Sequence, residues 1–224
     1  MDRINLENFD WGWMDNDVLK NILIKEIFID RIYEKFFEVE EGDIVLDIGS
    51  SVGPFAYSIL NKKPKHIYCL EPSDSEFKTI NKNLCGYPVT PIKKAISFND
   101  DKIFIKELYG EDGGSVDGIS FKTLLKDYNL DKIDFLKIDC EGGEYDVFTF
   151  EYLNFLKIIP KIAGEWHLGT FEEKILFRTF RDQILPQFKH YEVYSIDGVD
   201  IKWDLWNEHF IEYYQQVLIY INNK

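Results

Sequence analysis

The sequence predicts an α/β fold: a doubly wound, Rossmann-like α/β/α sandwich on a mostly parallel seven-stranded sheet with an antiparallel C-terminal strand. Three observations carry this expectation. Short, almost wholly apolar runs alternate with stretches whose apolar residues recur at helical spacing, the pattern of strands buried on both faces by crossover helices. The first such strand leads into a helix through a loop with two glycines, in "LDIGSSVGPFAYSIL" (residues 46–60). The last two apolar runs have no helical crossover between them, so they should pair antiparallel.

In chain order, residues 1–40 read as a helical lead-in or cap and residues 41–224 as the main domain. "DVLKNILIKEIFIDRIYEKFF" spaces apolar residues as one helix, with Asp17 as its N-cap. "EEGDIVLDIGS" turns into a short buried strand, "HIYCLEP" is a second, and "SDSEFKTINKNL" is a helix capped by Ser73 or Asp74. "TPIKKAIS" reads as a third strand, "KIFIKEL" as an inserted one, and "YGEDGGSVDGIS" as a loop. "FKTLLKDYNL" is a helix, "KIDFLKIDC" a strand, "EYDVFTFEYL" a helix and "KIAGEWH" a strand. "TFEEKILFRTFRDQILPQF" is a long helix, and "YEVYSIDG" and "EYYQQVLIYIN" are the closing strands.

The net charge of −14 argues against a nucleic-acid partner held through its phosphates and favours neutral or cationic ligands. The three cysteines, Cys69, Cys85 and Cys140, lack metal-ligand spacing and fit reduced thiols of a cytoplasmic protein. No signal-peptide pattern and no run long enough to span a bilayer is visible, so no membrane partner is expected. The oligomeric state is left open, a homo-oligomer included.

Ligands of doubly wound sheets bind outside the carboxyl ends of the strands, which directs attention to the residues after each strand. Gly49 and Gly53 are spaced G-x-x-x-G, not as a dinucleotide fingerprint, and Pro54 suits a first helical position. No Lys or Arg occurs from Asp43 to Leu60, while Asp47 is acidic. A pyrophosphate would meet Asp47 unfavourably; S-adenosylmethionine carries an ammonium, a sulfonium and no phosphate, and suits the loop better. Asp47, Gly49, Ser50, Ser51, Gly53 and Phe55 are therefore the candidate cofactor loop. Glu71 ends the second strand where an acid binds ribose hydroxyls, followed by Pro72 and Ser73; Ser73 and the Ala95–Ser97 turn should lie near the adenine.

A second constellation lies in "DFLKIDCEGGEYDVF" and "GEWHLG". Asp139 ends a buried strand, with Glu141 and Glu144 flanking Gly142-Gly143, where they are candidates for acceptor contacts. Glu144 has a plain alternative as an acid favourable to a helix dipole. Glu165 and His167 are two apart and so face one side of a strand. If the two strands are neighbours, Asp139, Glu165 and His167 converge.

The elements "LDIGSSVGPF", "CLEPSDSEF", "DFLKIDCEGGEYDVF" and "GEWH" occur in the order of the FkbM-type class I methyltransferases, which the chain resembles over residues 43–168. That resemblance implies an S-adenosylmethionine-dependent O-methyltransferase acting on a hydroxyl of a sugar, a glycan or another small-molecule acceptor. One departure is visible: Ser50-Ser51 stand where relatives often have Ala-Asn.

An aliphatic hydroxyl is a very weak acid and needs a general base or a metal to react. His167 is the expected base, because an unperturbed imidazole titrates near pH 6.5, with Glu165 either orienting it or contacting the acceptor and Asp139 as the alternative contact to the acceptor hydroxyl. The alternative is a divalent metal ion on Asp139, Glu165 and His167. The aromatic segments around Trp11 and Trp13 and from Trp203 to Tyr214 are candidate acceptor walls, against ordinary core packing. A nicotinamide-dependent oxidoreductase and a non-catalytic nucleoside-binding module are the competing classes; the missing third glycine counts against the first.

Overall fold

In the computed structural model, which describes residues 6–14, 17–108 and 111–224, a seven-stranded sheet runs in the order β3-β2-β1-β7-β8-β10-β9. The strands are β1 (Ile44–Ile48), β2 (His66–Leu70), β3 (Val89–Ile92), β7 (Phe135–Ile138), β8 (Lys161–His167), β9 (Tyr191–Ser195) and β10 (Gln216–Asn222). β10 is antiparallel to both β8 and β9, and the pairs from β3 through to β8 are parallel. Strand order reverses between β1 and β7, so the switch-point crevice opens beside the glycine loop. The expected sheet and its antiparallel C-terminal strand are observed.

All seven residues of β8 are buried, because it lies inside the sheet with helices over it. α3 (Asp74–Asn83) begins at Ser73, whose hydroxyl oxygen accepts from the Glu76 N–H, as an N-cap should. α7 (Phe171–Thr179) begins with a capping box of Thr170 and Glu173.

Several elements differ from expectation. "TPIKKAIS" breaks into β3 and a two-residue β4 (Ala95–Ile96), which leaves the main sheet to pair with β6. The expected loop "YGEDGGSVDGIS" holds β6 (Glu111–Ile119), antiparallel to β5 (Lys102–Leu108) in a three-stranded sheet; residues 109–110 lie outside the described residues. Its glycines, aspartates and serine carry little strand propensity, and the ladder to β5 supplies what propensity does not. "EYDVFTFEYL" forms two short helices, α5 (Glu144–Val147) and α6 (Leu153–Leu156). The long helix after β8 passes from α7 into a π-helical turn at Phe180–Ile184.

The N-terminal helix also departs from a regular one. α1 (Asp17–Leu23) continues as a π-helical turn, Ile24–Ile29, and a 3-10 turn, Ile32–Glu34, follows Arg31 in a left-handed conformation (φ 50°). The Asp17 side chain lies outside what is described. Ile27, Ile32 and Tyr33 pack with Val45, Phe135, Ala163, Leu218 and Tyr220, so this segment covers one face of the main sheet. By strand alternation that face also carries Asp47, Lys137, Glu165 and His167. Residues 23–39 therefore pack on the sheet face that carries these residues.

Candidate functional site

The glycine loop is shaped first by its own backbone. Gly49 and Ser50 both donate their N–H to the Leu70 carbonyl, and Gly49 (φ +78°) lies so close to β7 that an added Cβ would sit 1.7 Å from the Asp139 carbonyl oxygen. Glycine at position 49 is thus demanded by the protein's own packing as well as by any ligand. Gly53 (φ +87°) precedes α2 (Pro54–Ser58), with Pro54 at its first turn. Ser51 adopts φ 48°, rare for a residue with a side chain, and two acids hold it there. Its N–H donates to Glu71 Oε2 at 3.0 Å and its hydroxyl to Glu76 Oε1 at 2.9 Å. Ser73 N–H donates to Glu71 Oε1 at 2.8 Å. Burial, and then the Glu76 charge, push the Glu71 carboxyl well above its usual range.

Asp47 is fully buried, and its charge faces a cation that loop-local reading missed. Lys137 Nζ lies 3.2 Å from Asp47 Oδ1 and 3.8 Å from Asp139 Oδ2, and donates to the Gly49 carbonyl at 2.5 Å. Burial opposes the charge on Lys137, but Asp47 and Asp139 outweigh it and hold the ammonium protonated. Lys137 precedes Asp139 by two, on the same strand face, and is the lone charge in the otherwise apolar β7; that was the available signal.

β7 and β8 pair in parallel with Ile138 opposite Gly164, so Asp139, Glu165 and His167 do converge. One ligand atom from each lies within 4.8 Å of the others. Tyr33 donates its hydroxyl to Asp139 Oδ2 at 2.6 Å. Burial, and then Asp139, keep that phenol protonated. Glu165, also buried, accepts from Gln216 Nε2 at 3.2 Å, and burial followed by Asp139 pushes its carboxyl well up.

His167 is oriented by Glu144, not by Glu165. Nδ1 lies 2.9 Å from Glu144 Oε1, while Nε2 faces Glu141 at 3.5 Å and Asp139 at 3.9 Å. Glu144 stands in the first turn of α5, as the dipole alternative has it, and is also fully buried and accepts the Cys140 N–H at 2.9 Å. Burial disfavours charge on the imidazole, yet Glu144, Asp139 and Glu141 overcome that and push its pKa up to about 10. That direction runs away from the unperturbed value near 6.5 on which the choice of His167 as base rests. Glu141 is exposed, with φ 54°.

Other candidates stand elsewhere. Phe55 is buried against Tyr33 and Phe135 in the core. Pro72 is half-buried, and Ala95 lies in β4, paired with Gly118, not in a turn. Trp11 packs with Phe9, Met14 and Val52 against the loop, while Trp203 is 86% exposed. Cys69 is buried but Cys85 is exposed.

A family model described as the methyltransferase FkbM domain matches residues 47–196. No curated protein matches the chain. A putative rRNA methylase from Clostridium thermocellum aligns with a TM-score of 0.50 at 13% identity, over 91% of this chain and 94% of its own. An rRNA methylase from Streptococcus thermophilus aligns with a TM-score of 0.50 at 10% identity, over 92% of this chain and 95% of its own. At these identities the likeness is one of fold. It overturns one expectation: proteins described as rRNA methylases share this architecture, so the acidic balance does not exclude a nucleic-acid partner. No described helix is long and apolar enough to cross a membrane.

Proposed function

The chain belongs to the FkbM methyltransferase domain family, and from that premise we propose that it transfers a methyl group from S-adenosylmethionine to a hydroxyl oxygen of a saccharide or other small-molecule acceptor. The observation that carries this reading is the convergence of Asp139, Glu165 and His167 within 4.8 Å, at strand ends beside the glycine loop.

The residues at the loop fit the cofactor. Glu71 spends one acceptor site on Ser51 and one on Ser73, which leaves capacity for ribose hydroxyls. Lys137 is committed to Asp47, Asp139 and the Gly49 carbonyl, and is not available to a pyrophosphate. The bound cofactor supplies the electrophilic methyl group. The chain's own residues align the acceptor and take its proton. In this reading Asp139 and Glu165 accept from an acceptor hydroxyl; the Tyr33 hydroxyl, donating to Asp139 Oδ2, supports it by fixing that carboxylate. His167 presents Nε2 to the same space while Glu144 holds Nδ1. As an imidazolium it stabilises negative charge growing on the oxygen; as a base it must first lose that proton.

A metal-assisted reading is favoured by the same geometry. Two carboxylates and an imidazole form a donor set suited to a divalent first-row ion, and the Glu144 contact at Nδ1 is the outer-shell partner usual for a metal-ligating histidine. Asp139, Glu165 and His167 would hold the ion, which would lower the pKa of the acceptor hydroxyl.

Thermal shift with S-adenosylhomocysteine against NADH tests the cofactor. At one hundred times its dissociation constant a ligand stabilises by about 2.7 kcal/mol, so the first should raise the Tm and the second should not. Labelled methyl donor offered with glycans, nucleotide sugars and an RNA transcript tests the acceptor. Turnover should vanish in His167→Ala while cofactor affinity holds; label appearing only in RNA would refute the small-molecule reading.

A further inference from the structure

Each of the three convergent side chains has one polar atom engaged by a partner of its own. Tyr33 donates to Asp139 Oδ2 at 2.6 Å, Gln216 Nε2 donates to Glu165 Oε2 at 3.2 Å, and Glu144 lies 2.9 Å from His167 Nδ1. The second oxygens, Asp139 Oδ1 and Glu165 Oε1, take no hydrogen bond among the described residues. Asp139 Oδ1 faces His167 Nε2 at 3.9 Å. Phenol and amide donors are neutral, so they fix an oxygen without cancelling the carboxylate's charge as a guanidinium would. The Lys137 ammonium, 3.8 Å from Asp139 Oδ2, stands by the oxygen that Tyr33 already holds.

Both donors come from outside the stretch that matches the family model, residues 47–196. The turn that carries Tyr33 is fastened at several points. Arg31 takes a left-handed conformation (φ 50°), uncommon for a residue with a side chain, and its guanidinium lies 2.9 Å from Glu34, which also meets Lys62 at 2.6 Å. Tyr220 on β10 donates its hydroxyl to the Ile32 carbonyl at 2.7 Å, and the Tyr33 ring meets Phe55 edge-on at 5.7 Å. Strained backbone persists where surrounding contacts over-determine it, and here they set one hydroxyl on one carboxylate oxygen. Gln216 is placed by register instead. It opens β10 opposite His167 in the β8–β10 ladder, with Glu165 as its diagonal neighbour on the same face.

We infer that Tyr33 and Gln216 are positioning residues: each holds one oxygen of its carboxylate so that the other, together with His167 Nε2, serves a divalent ion. The segments flanking the family domain thereby complete the site. Hydrogen-bonded partners behind metal ligands fix their orientation, and losing one typically costs about 10–100-fold in metal affinity. The inference rests on the metal-assisted reading of Asp139, Glu165 and His167 and adds to it the two donors on which affinity for the ion depends.

Mn²⁺ alone is the probe, titrated into the full chain and followed by loss of the free-ion EPR signal. Tyr33→Phe keeps the ring against Phe55, and Gln216→Met keeps the stem of a half-buried side chain. Each should raise the Mn²⁺ Kd by about tenfold or more while the S-adenosylhomocysteine Kd stays within about twofold. Lys35→Ala, on the same segment but with its ammonium on the Gly198 carbonyl and the Tyr194 ring, should bind Mn²⁺ as the parent does. Either positioning variant binding Mn²⁺ within about twofold of the parent would overturn the inference. So would a parallel loss of S-adenosylhomocysteine affinity, the mark of a general disturbance of the fold. A parent that takes up no Mn²⁺ would overturn the metal-assisted reading and the inference with it.

Discussion

Replacing Lys137 by methionine should be among the most damaging single changes in this protein. Its ammonium lies 3.2 Å from Asp47 Oδ1, and the two side chains are 4% and 0% exposed. At an effective dielectric near 20, unit charges at that separation attract by about 5 kcal/mol, a gross figure from which desolvation must be subtracted. Methionine keeps most of the stem volume but strands Asp47 as a buried, uncompensated carboxylate, and breaking a buried pair from one side costs about 3–5 kcal/mol. For a chain of this size each kcal/mol moves the Tm by about 2–4 °C, so a fall of about 6–20 °C is expected. Asp47→Asn should cost less, about 1–3 kcal/mol, because Lys137 keeps Asp139 and the Gly49 carbonyl. The double variant should be milder than the sum of the singles, with a coupling of about 2–3 kcal/mol. Urea unfolding of the four proteins measures this cycle. Strict additivity, or a Lys137→Met loss below about 1 kcal/mol, would refute the view that the pair neutralises a buried charge beneath the cofactor loop.

Gly49→Ala should prevent folding or cost well over the 1–2 kcal/mol of left-handed strain alone, since its Cβ would meet the Asp139 carbonyl at 1.7 Å; Gly53→Ala meets only the Leu84 side chain at 3.1 Å and should be milder, a ranking that soluble yield and Tm decide. Glu71 binds its proton more tightly folded than unfolded, because burial and Glu76 raise its pKa. Its contribution to stability is thus present at low pH and declines as pH rises above 4.5 towards the raised value. Glu71→Gln should therefore flatten the stability–pH profile between pH 4.5 and neutrality, and parallel profiles would contradict the shift. Dialysis against a chelator should lower both Tm and turnover, with Mn²⁺ restoring them in the parent but not in Glu165→Gln; activity untouched by chelation would refute the metal-assisted reading.

Much of the site was legible because its parts lie at strand ends. Asp139, Glu165 and His167 follow from two adjacent apolar runs and a period of two, and Glu71 from the end of β2. The partner of His167 was not legible, for a physical reason. Whether Glu144 or Glu165 meets His167 depends on how the Gly142-Gly143 turn folds back, and local sequence does not encode that path. The charge state of His167 was out of reach in the same way, since three carboxylates from one loop and a short helix set it.

What the sequence determined by itself was the layered α/β architecture and the strand ends where chemistry gathers, because hydrophobic period and glycine placement are local signals. Tertiary structure alone decided what stands opposite those ends. Lys137 beneath Asp47, Tyr33 on Asp139 and Glu144 on His167 come together across the chain. Such pairings arise when buried charges and apolar faces are satisfied all at once, a condition on the whole packed molecule and not on any single segment of it.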